Sequence, residues 1–396
     1  MLRFLTAGES HGPSLSVIVE GLPAGLAIDE ETITRELARR RLGYGRGPRM
    51  RFERDEVRLI GGVRHGRSLG SPVSIEILNT EWPKWEQEMS AAPGTPSKRL
   101  TAPRPGHADL AGMQKYGFDD ARDVLERASA RETAARVAAG ALAKALLDSI
   151  GVRVLSHVVR IGTAATPPEL RPQMSDLEGI DASEVRCFDA ASEVAMIAEI
   201  KAAAKVGDSL GGVAEVIAYG VPVGLGSHVH WDRKLDGLLA GALMSIQAVK
   251  AVEIGDGMIQ ASQRGSVAHD AIARDDSHVL GGGYVRRSDH AGGLEGGVSS
   301  GAPLIARVAM KPLATLNRPV LETVDTATGE STVSFKERTD VTAVPAMGVV
   351  AEAMVALVLA NEAVRKFGGD SVAEFVRNER SYLENLNTVV SGPRPE

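Results

Sequence analysis

Apolar positions recur along this chain at two spacings, and each predicts its own elements. Residues 29–41 read as a helix that begins on a capping Asp29, carries acid in its first turn and ends in three arginines. Its charges oppose the macrodipole at both ends. Residues 130–150 are Ala-rich and stop at Gly151, a residue suited to a left-handed C-terminal cap; Ser129-Ala-Arg-Glu132 at the start has the spacing of a reciprocal capping box. The stretches 235–252 and 347–367 are largely apolar and read as buried helices, the second stopped by Gly368-Gly369. Alternating or β-branched runs at 14–19, 57–60, 73–78, 213–219 and 304–308 read as strands, and 320–335 as a hairpin around Thr326-Ala-Thr-Gly329. Helices and strands mix without a regular β-α-β alternation, which predicts an α+β fold. Residues 82–105 contain prolines and no period, so they read as a long loop of the functional or mobile kind. No Gly/Ser linker or compositional break divides the chain. One domain over 1–396 is the expectation, with a tail that frays after about residue 387.

Composition narrows the function. Hydrophobic residues make up 43% of the 396, enough for a sizeable core. Aromatics at 4% argue against a base-stacking surface, and a net charge of −6 gives no global attraction for nucleic acid or anionic membrane. Affinity for anions must therefore come from a local cluster. Cys187 is the one cysteine, which rules out an internal disulfide and a Cys-x-x-Cys metal site, and it reads as a structural residue; no metal is expected. The N-terminus turns polar too soon for a signal peptide, and no uninterrupted run of about 18 apolar residues suggests a membrane span. A reducing cytoplasm fits these features.

Within that frame, five segments could carry chemistry. Gly8-Glu-Ser-His11-Gly12 sits between two short strands and could present an imidazole to a cleft; a turn histidine bonded to backbone is the competing reading. Arg39-Arg40-Arg41 ends the first helix and leads through a Gly-rich loop to Arg46 and Arg49. Guanidinium forks of this kind bind phosphate and carboxylate, although a solvated charge run would look similar. Arg104-Pro-Gly-His107-Ala-Asp109 places a histidine near an aspartate that could orient it, or makes only a structural turn. Arg127-Ala-Ser129-Ala-Arg131 brackets a helix start, a natural anion site, though capping alone would explain Ser129. The glycine loop 292–301 lacks the spacing of a dinucleotide fingerprint. Lys311-Pro-Leu-Ala-Thr315 offers a cation and a hydroxyl, and Arg338-Thr-Asp340 an Arg and an Asp two apart. P-loop, His-Glu-x-x-His and Gly-x-Ser-x-Gly patterns are absent.

Together these segments resemble the chorismate synthases. The resemblance is carried in order by Gly8-Glu-Ser-His-Gly12, Arg39-Arg-Arg41, Arg104-Pro-Gly-His-Ala-Asp109, Gln114-Lys-Tyr-Gly117, Ala128-Ser-Ala-Arg-Glu-Thr-Ala134, Gly211-Gly212, Val252-Glu-Ile-Gly-Asp-Gly257, Ala291-Gly-Gly293 and Lys311-Pro312. It implies a single-domain β-α-β sandwich, a cytoplasmic homotetramer and a bound reduced FMN, and it allows NADPH as an indirect reductant. The implied reaction is an anti-1,4-elimination of phosphate from 5-enolpyruvylshikimate 3-phosphate to give chorismate, the last step of the shikimate pathway that feeds aromatic amino acid biosynthesis. Carried over, the family pattern puts the flavin against Arg127, Ala128, Ser129, Gln247, Ala248, Gly296, Lys311, Pro312, Leu313, Ala314, Thr315 and Arg338. Arg40, Arg46, Arg49, Arg104 and Arg131 form the implied anion clamp. His11 is the implied proton donor to phosphate, His107 holds a proton beside the flavin, and Asp340 is their acidic partner. Many members read Arg-Ser-Ser where this chain has Arg127-Ala-Ser129, which leaves Ala128 only its backbone as a contact. The rival readings are a flavin-free phosphosugar or nucleotide enzyme using the same cleft, and a nucleic-acid module using the basic segment 35–54.

Overall fold

The structure, a computed structural model, describes residues 1–45, 55–335 and 339–389. Its first antiparallel sheet contains β1 (Arg3–Ala7), β2 (Ser14–Glu20), β3 (Glu56–Gly61) and β4 (Val73–Leu78) in the order β1-β2-β4-β3. The second contains β5 (Arg153–Ile161), β6 (Gly212–Tyr219), β7 (Val249–Ile254) and β8 (Leu304–Met310). It is also antiparallel, in the order β7-β8-β6-β5, with the two-residue strand Ala164–Ala165 on its edge. The main helices are α1 (Glu30–Arg40), α2 (Asp109–Tyr116), α3 (Arg122–Ala128), α4 (Thr133–Asp148), α5 (Ala190–Val206), α6 (Leu235–Met244), α7 (Val344–Phe367) and α8 (Val372–Val389).

Period-two alternation buries one face of the first sheet: Leu15, Val17 and Val19 of β2 share it with Val73, Ile75 and Ile77 of β4. Helix α4 packs against β2, α7 packs against β5 and β6, and the two helices pack on each other. Their crossing is tight enough to require glycine. A Cβ on Gly140 of α4 would lie 2.3 Å from the Cβ of Ala353 on α7. Helix α7 is long and apolar enough to cross a membrane by length and composition, beyond what its sequence suggests, yet 89% of its apolar window is buried in the protein. It is a core helix.

A charged cluster lies inside this core. Glu352 of α7 is fully buried and accepts from Arg39 at 2.7 and 3.0 Å, Lys144 at 2.6 Å, Arg186 at 3.2 Å and Ser156 at 2.7 Å. Glu36 and Asp181 complete it. Burial disfavours the Glu352 carboxylate, but Arg39, Lys144 and Arg186 outweigh burial and hold it well below the usual range. Arg39 therefore belongs to the framework.

Two local expectations change. The run 235–252 is not one helix: α6 ends at Met244, a turn reaches Ala248, and β7 follows. Apolar content alone does not separate a buried helix from a buried strand. Ser129-x-x-Glu132 forms no reciprocal box. Ser129 accepts from the Arg131 N–H at 3.2 Å at the head of a short 3-10 turn, while the Glu132 carboxylate reaches Thr6, Arg136 and Gln247.

Candidate active site

The turn from β1 to β2 carries His11, and its shape depends on Gly8, whose φ is 99° and whose Cβ would meet the Ser14 carbonyl oxygen at 2.4 Å. Helix α3 anchors this turn. Its Glu126 carbonyl accepts from the Ser10 N–H at 2.9 Å, and its carboxylate accepts from the His11 N–H at 2.8 Å and meets His11 Nδ1 at 2.8 Å. Arg122, one turn earlier on α3, donates to the same carboxylate at 3.0 Å. Burial opposes ionisation of Glu126, but the hydrogen bond and charge of His11, with help from Arg122, hold its carboxyl below the ordinary range.

A second histidine is built the same way. The turn at 104–107 brings His107 Nδ1 onto Asp109, which is wholly buried at the start of α2. Arg104 donates to Asp109 from Nε at 2.8 Å and to Thr315 at 3.1 Å, and lies 5.0 Å over the Phe335 ring. Burial works against the Asp109 charge, and the hydrogen bonds of His107 and Arg104 reverse it, so the carboxyl stays ionised far into acid. Lys311 donates to the Gly106 carbonyl, tying the end of β8 to this turn.

Both histidines line one cavity of about 1280 Å³. Arg40, Arg104 and Arg131 also line it, as do Ala128, Ser129, Gln247, Ala248, Lys311, Leu313, Ala314, Thr315 and Asp340. Arg40 and Arg131 share the buried Asp55, the first at 3.7 Å; burial would raise that carboxyl, and the two arginines lower it. The segment 82–105 supplies Lys84, Trp85, Glu88, Ser97 and Lys98 to the wall, so it is a wall of the site rather than a detached loop. Its end is pinned where Asp120 accepts from the Leu100 N–H at 3.0 Å. Cations outnumber carboxylates along this lining, which suits an anionic ligand despite the negative net charge.

Other residues singled out in the sequence fall elsewhere. Arg127 is half-exposed and donates to the Gly8 and Thr6 carbonyls at 3.0 and 2.9 Å, outside the cavity lining. Gly296 joins the short strands Leu294–Glu295 and Val298–Ser299, also outside it, and Pro312 lies between two lining residues. Arg46, Arg49 and Arg338 lie outside the described residues. Cys187 is buried, and burial pushes its thiol up to about 11, consistent with a structural role. Glu126, Asp55, Arg122 and Trp85 were not legible as site residues. The one available signal was the i, i+4 spacing of Arg122 and Glu126 on a short helix.

The cavity can be tested against a flavin. Gln247 Oε1 is buried and has no hydrogen-bond partner among the described residues, and Ala248 beside it holds a φ of 65°, a strained conformation for a residue with a Cβ. A buried acceptor without a donor, next to strained backbone in an apolar wall of Ile246, Met310, Ala343 and Met347, fits a planar ligand that presents N–H groups.

A family model described as chorismate synthase matches residues 2–364. The chorismate synthase of Salinispora tropica is 60% identical over 395 residues, 98% of this chain and 99% of that one. That of Thermobifida fusca is 58% identical over 397 residues, with 98% and 99% coverage. A chorismate synthase crystal structure, 39% identical, matches with a TM-score of 0.78 over 98% of both chains. The sequence match and the fold agree over nearly the full length, and the chain belongs to the chorismate synthase family.

Proposed function

We infer that this chain is the lyase that eliminates phosphate from 5-enolpyruvylshikimate 3-phosphate to give chorismate, the final step of the shikimate pathway. The observation that carries the reading is the single cavity in which two carboxylate-backed histidines meet Arg40, Arg104, Arg131 and Lys311. The substrate carries a phosphate and two carboxylates. A cation-rich wall binds three anions and orients the ring between them.

Gln247, Ala248, Ala128, Ser129 and the segment 311–315 would hold reduced FMN, with Gln247 Oε1 as an acceptor awaiting a donor. Bound there, the flavin supplies transient electron density that no side chain offers, with no net redox change. His11 gives a proton to the departing phosphate, His107 would keep a proton near the bound flavin, and Asp340 would assist removal of the proton that the substrate ring loses in the elimination. Proton transfer by a positioned group of this kind contributes roughly 10²–10⁴-fold. Arg46, Arg49 and Arg338 complete the ligand set in this reading, as do Arg127, Pro312 and Gly296 from outside the cavity lining.

The same reading makes the chain one domain, a β-α-β sandwich, supported by one continuous apolar core that joins both sheets with α4 and α7. It makes the enzyme a cytoplasmic homotetramer with NADPH as indirect reductant. The exposed Val229, Trp231 and Met258 are suited to cover by another subunit. A nucleic-acid module is disfavoured because Arg39 and Arg40 are 8% and 5% exposed and face carboxylates. The test is anaerobic turnover of the substrate with dithionite-reduced FMN, following chorismate by absorbance. Product that requires reduced flavin is expected. Product without flavin would favour the flavin-free reading, and folded protein giving none would overturn the assignment.

A further inference from the structure

We propose that Glu126 is the positioning residue for His11, fixing the imidazole so that Nε2 faces the cavity. The proposal rests on the reading of His11 as the proton donor.

Glu126 and His11 are 115 residues apart, yet α3 supplies the hydrogen bonds to the histidine and the 82–105 segment its ring contact. One carboxylate oxygen meets His11 Nδ1 and the other accepts the His11 backbone N–H, both at 2.8 Å. Side chain and main chain of one residue are thus held by the two oxygens of one group. Arg122 occupies a remaining acceptor position at 3.0 Å, and the Glu126 side chain is only 3% exposed, so water does not compete. Trp85 covers the imidazole, with ring centroids 3.9 Å apart and planes 33° from parallel, and Arg122 lies 5.0 Å over the same indole. With Nδ1 bonded, backbone bonded and ring covered, Nε2 is the nitrogen left to the cavity that His11 lines.

This arrangement exceeds what a structural ion pair needs. The carboxylate keeps the proton on Nδ1 and stabilises the imidazolium, the form that releases a proton from Nε2 to phosphate. Glutamine at 126 cannot reproduce it. Its amide NH₂ must oppose either the His11 backbone N–H or the Arg122 and Nδ1 donors, and a change of histidine tautomer relieves only the Nδ1 half of the second conflict, since Arg122 has no acceptor.

The test measures Glu126→Gln and Glu126→Asp with substrate and reduced FMN, together with ¹⁵N spectra of histidine-labelled protein in which His11 is assigned by its loss in His11→Ala. The expected results are a kcat of Glu126→Gln lower by roughly 10²-fold, a KM within about threefold of the parent, and recovery of at least about tenfold of the lost rate in Glu126→Asp. The parent His11 signals should report Nδ1–H, and those of Glu126→Gln should move away from it. Adding Glu126→Gln to His11→Ala should cost nothing further. A parent His11 unprotonated at Nδ1 overturns the proposal, even if Glu126→Gln fails to fold. So does a folded Glu126→Gln with parental kcat and spectra, or a further tenfold loss in the double variant. A His11→Ala enzyme with parental turnover defeats instead the reading of His11 on which the proposal stands.

Discussion

Arg39 and Arg40 are neighbours on α1 but serve two different charged regions. Successive residues on a helix point about 100° apart, so one side chain enters the core and the other the cavity. In the core cluster Arg39, Lys144 and Arg186 face Glu36, Asp181 and Glu352, the charges cancel, and none of the six lines the cavity. In the cavity Arg40, Arg104, Arg122 and Arg131 line open space, and their carboxylate partners Asp55, Asp109 and Glu126 do not line it. The difference separates framework from site better than charge density does. Paired charges away from the cavity hold elements together, whereas arginines placed at the cavity by carboxylates outside its lining are prepared for a ligand.

Glu352→Gln tests the first half and has the largest expected effect. Three cations would lose their shared buried carboxylate, and breaking a buried pair from one side costs about 3–5 kcal/mol. Urea unfolding should show that loss, while turnover per folded molecule stays close to the parent. The pH dependence carries a sign. The folded carboxyl lies below its unfolded value, so its contribution is present above the ordinary carboxylate range near ~4 and fades as pH falls through the folded value. Glu352→Gln should flatten that acid limb. Parental stability with lost activity would place Glu352 in the site and dissolve the distinction.

His11→Ala and His107→Ala test the second half. Each should lower turnover more than tenfold, while circular dichroism and the thermal midpoint show an intact fold. Near-parental turnover in both would reduce the two carboxylate–histidine pairs to framework pairs like those around Glu352.

Much of the framework was readable because it follows local rules. Asp29 does cap α1, accepting from the Thr32 N–H at 2.7 Å, strand β4 covers the predicted residues, and the 320–335 hairpin pairs Glu322–Val324 with Ser331–Val333. Strand β5 was not readable, since Arg153, His157 and Arg160 interrupt its apolar pattern and its bulge shifts the alternation. Helices α5 and α8 also went unread. The site divides along similar lines. His11, His107 and the arginines show as residue types, and the resemblance gave them roles. Glu126 did not show, because its meaning lies in a contact across 115 residues, and neither did the departure of Arg39 into the core, which only packing decides.

The smallest expected effect concerns strain at the boundary between the two regions. Ala248 follows the turn after α6, precedes β7, lines the cavity and keeps φ at 65° while its carbonyl accepts from the Lys311 N–H at 3.0 Å. A left-handed alanine costs roughly 1–2 kcal/mol, and glycine removes that cost while adding freedom to the unfolded chain. Ala248→Gly should therefore stabilise the protein by less than about 1 kcal/mol, measured by urea unfolding. It should also lower kcat/KM a few fold, because the wall beside Gln247 loosens. A more stable and slower enzyme would show that the cavity wall stores strain that the core does not. A less stable one would mean that the Ala248 methyl is worth more to packing than the backbone loses, and residue 248 would then belong with the framework.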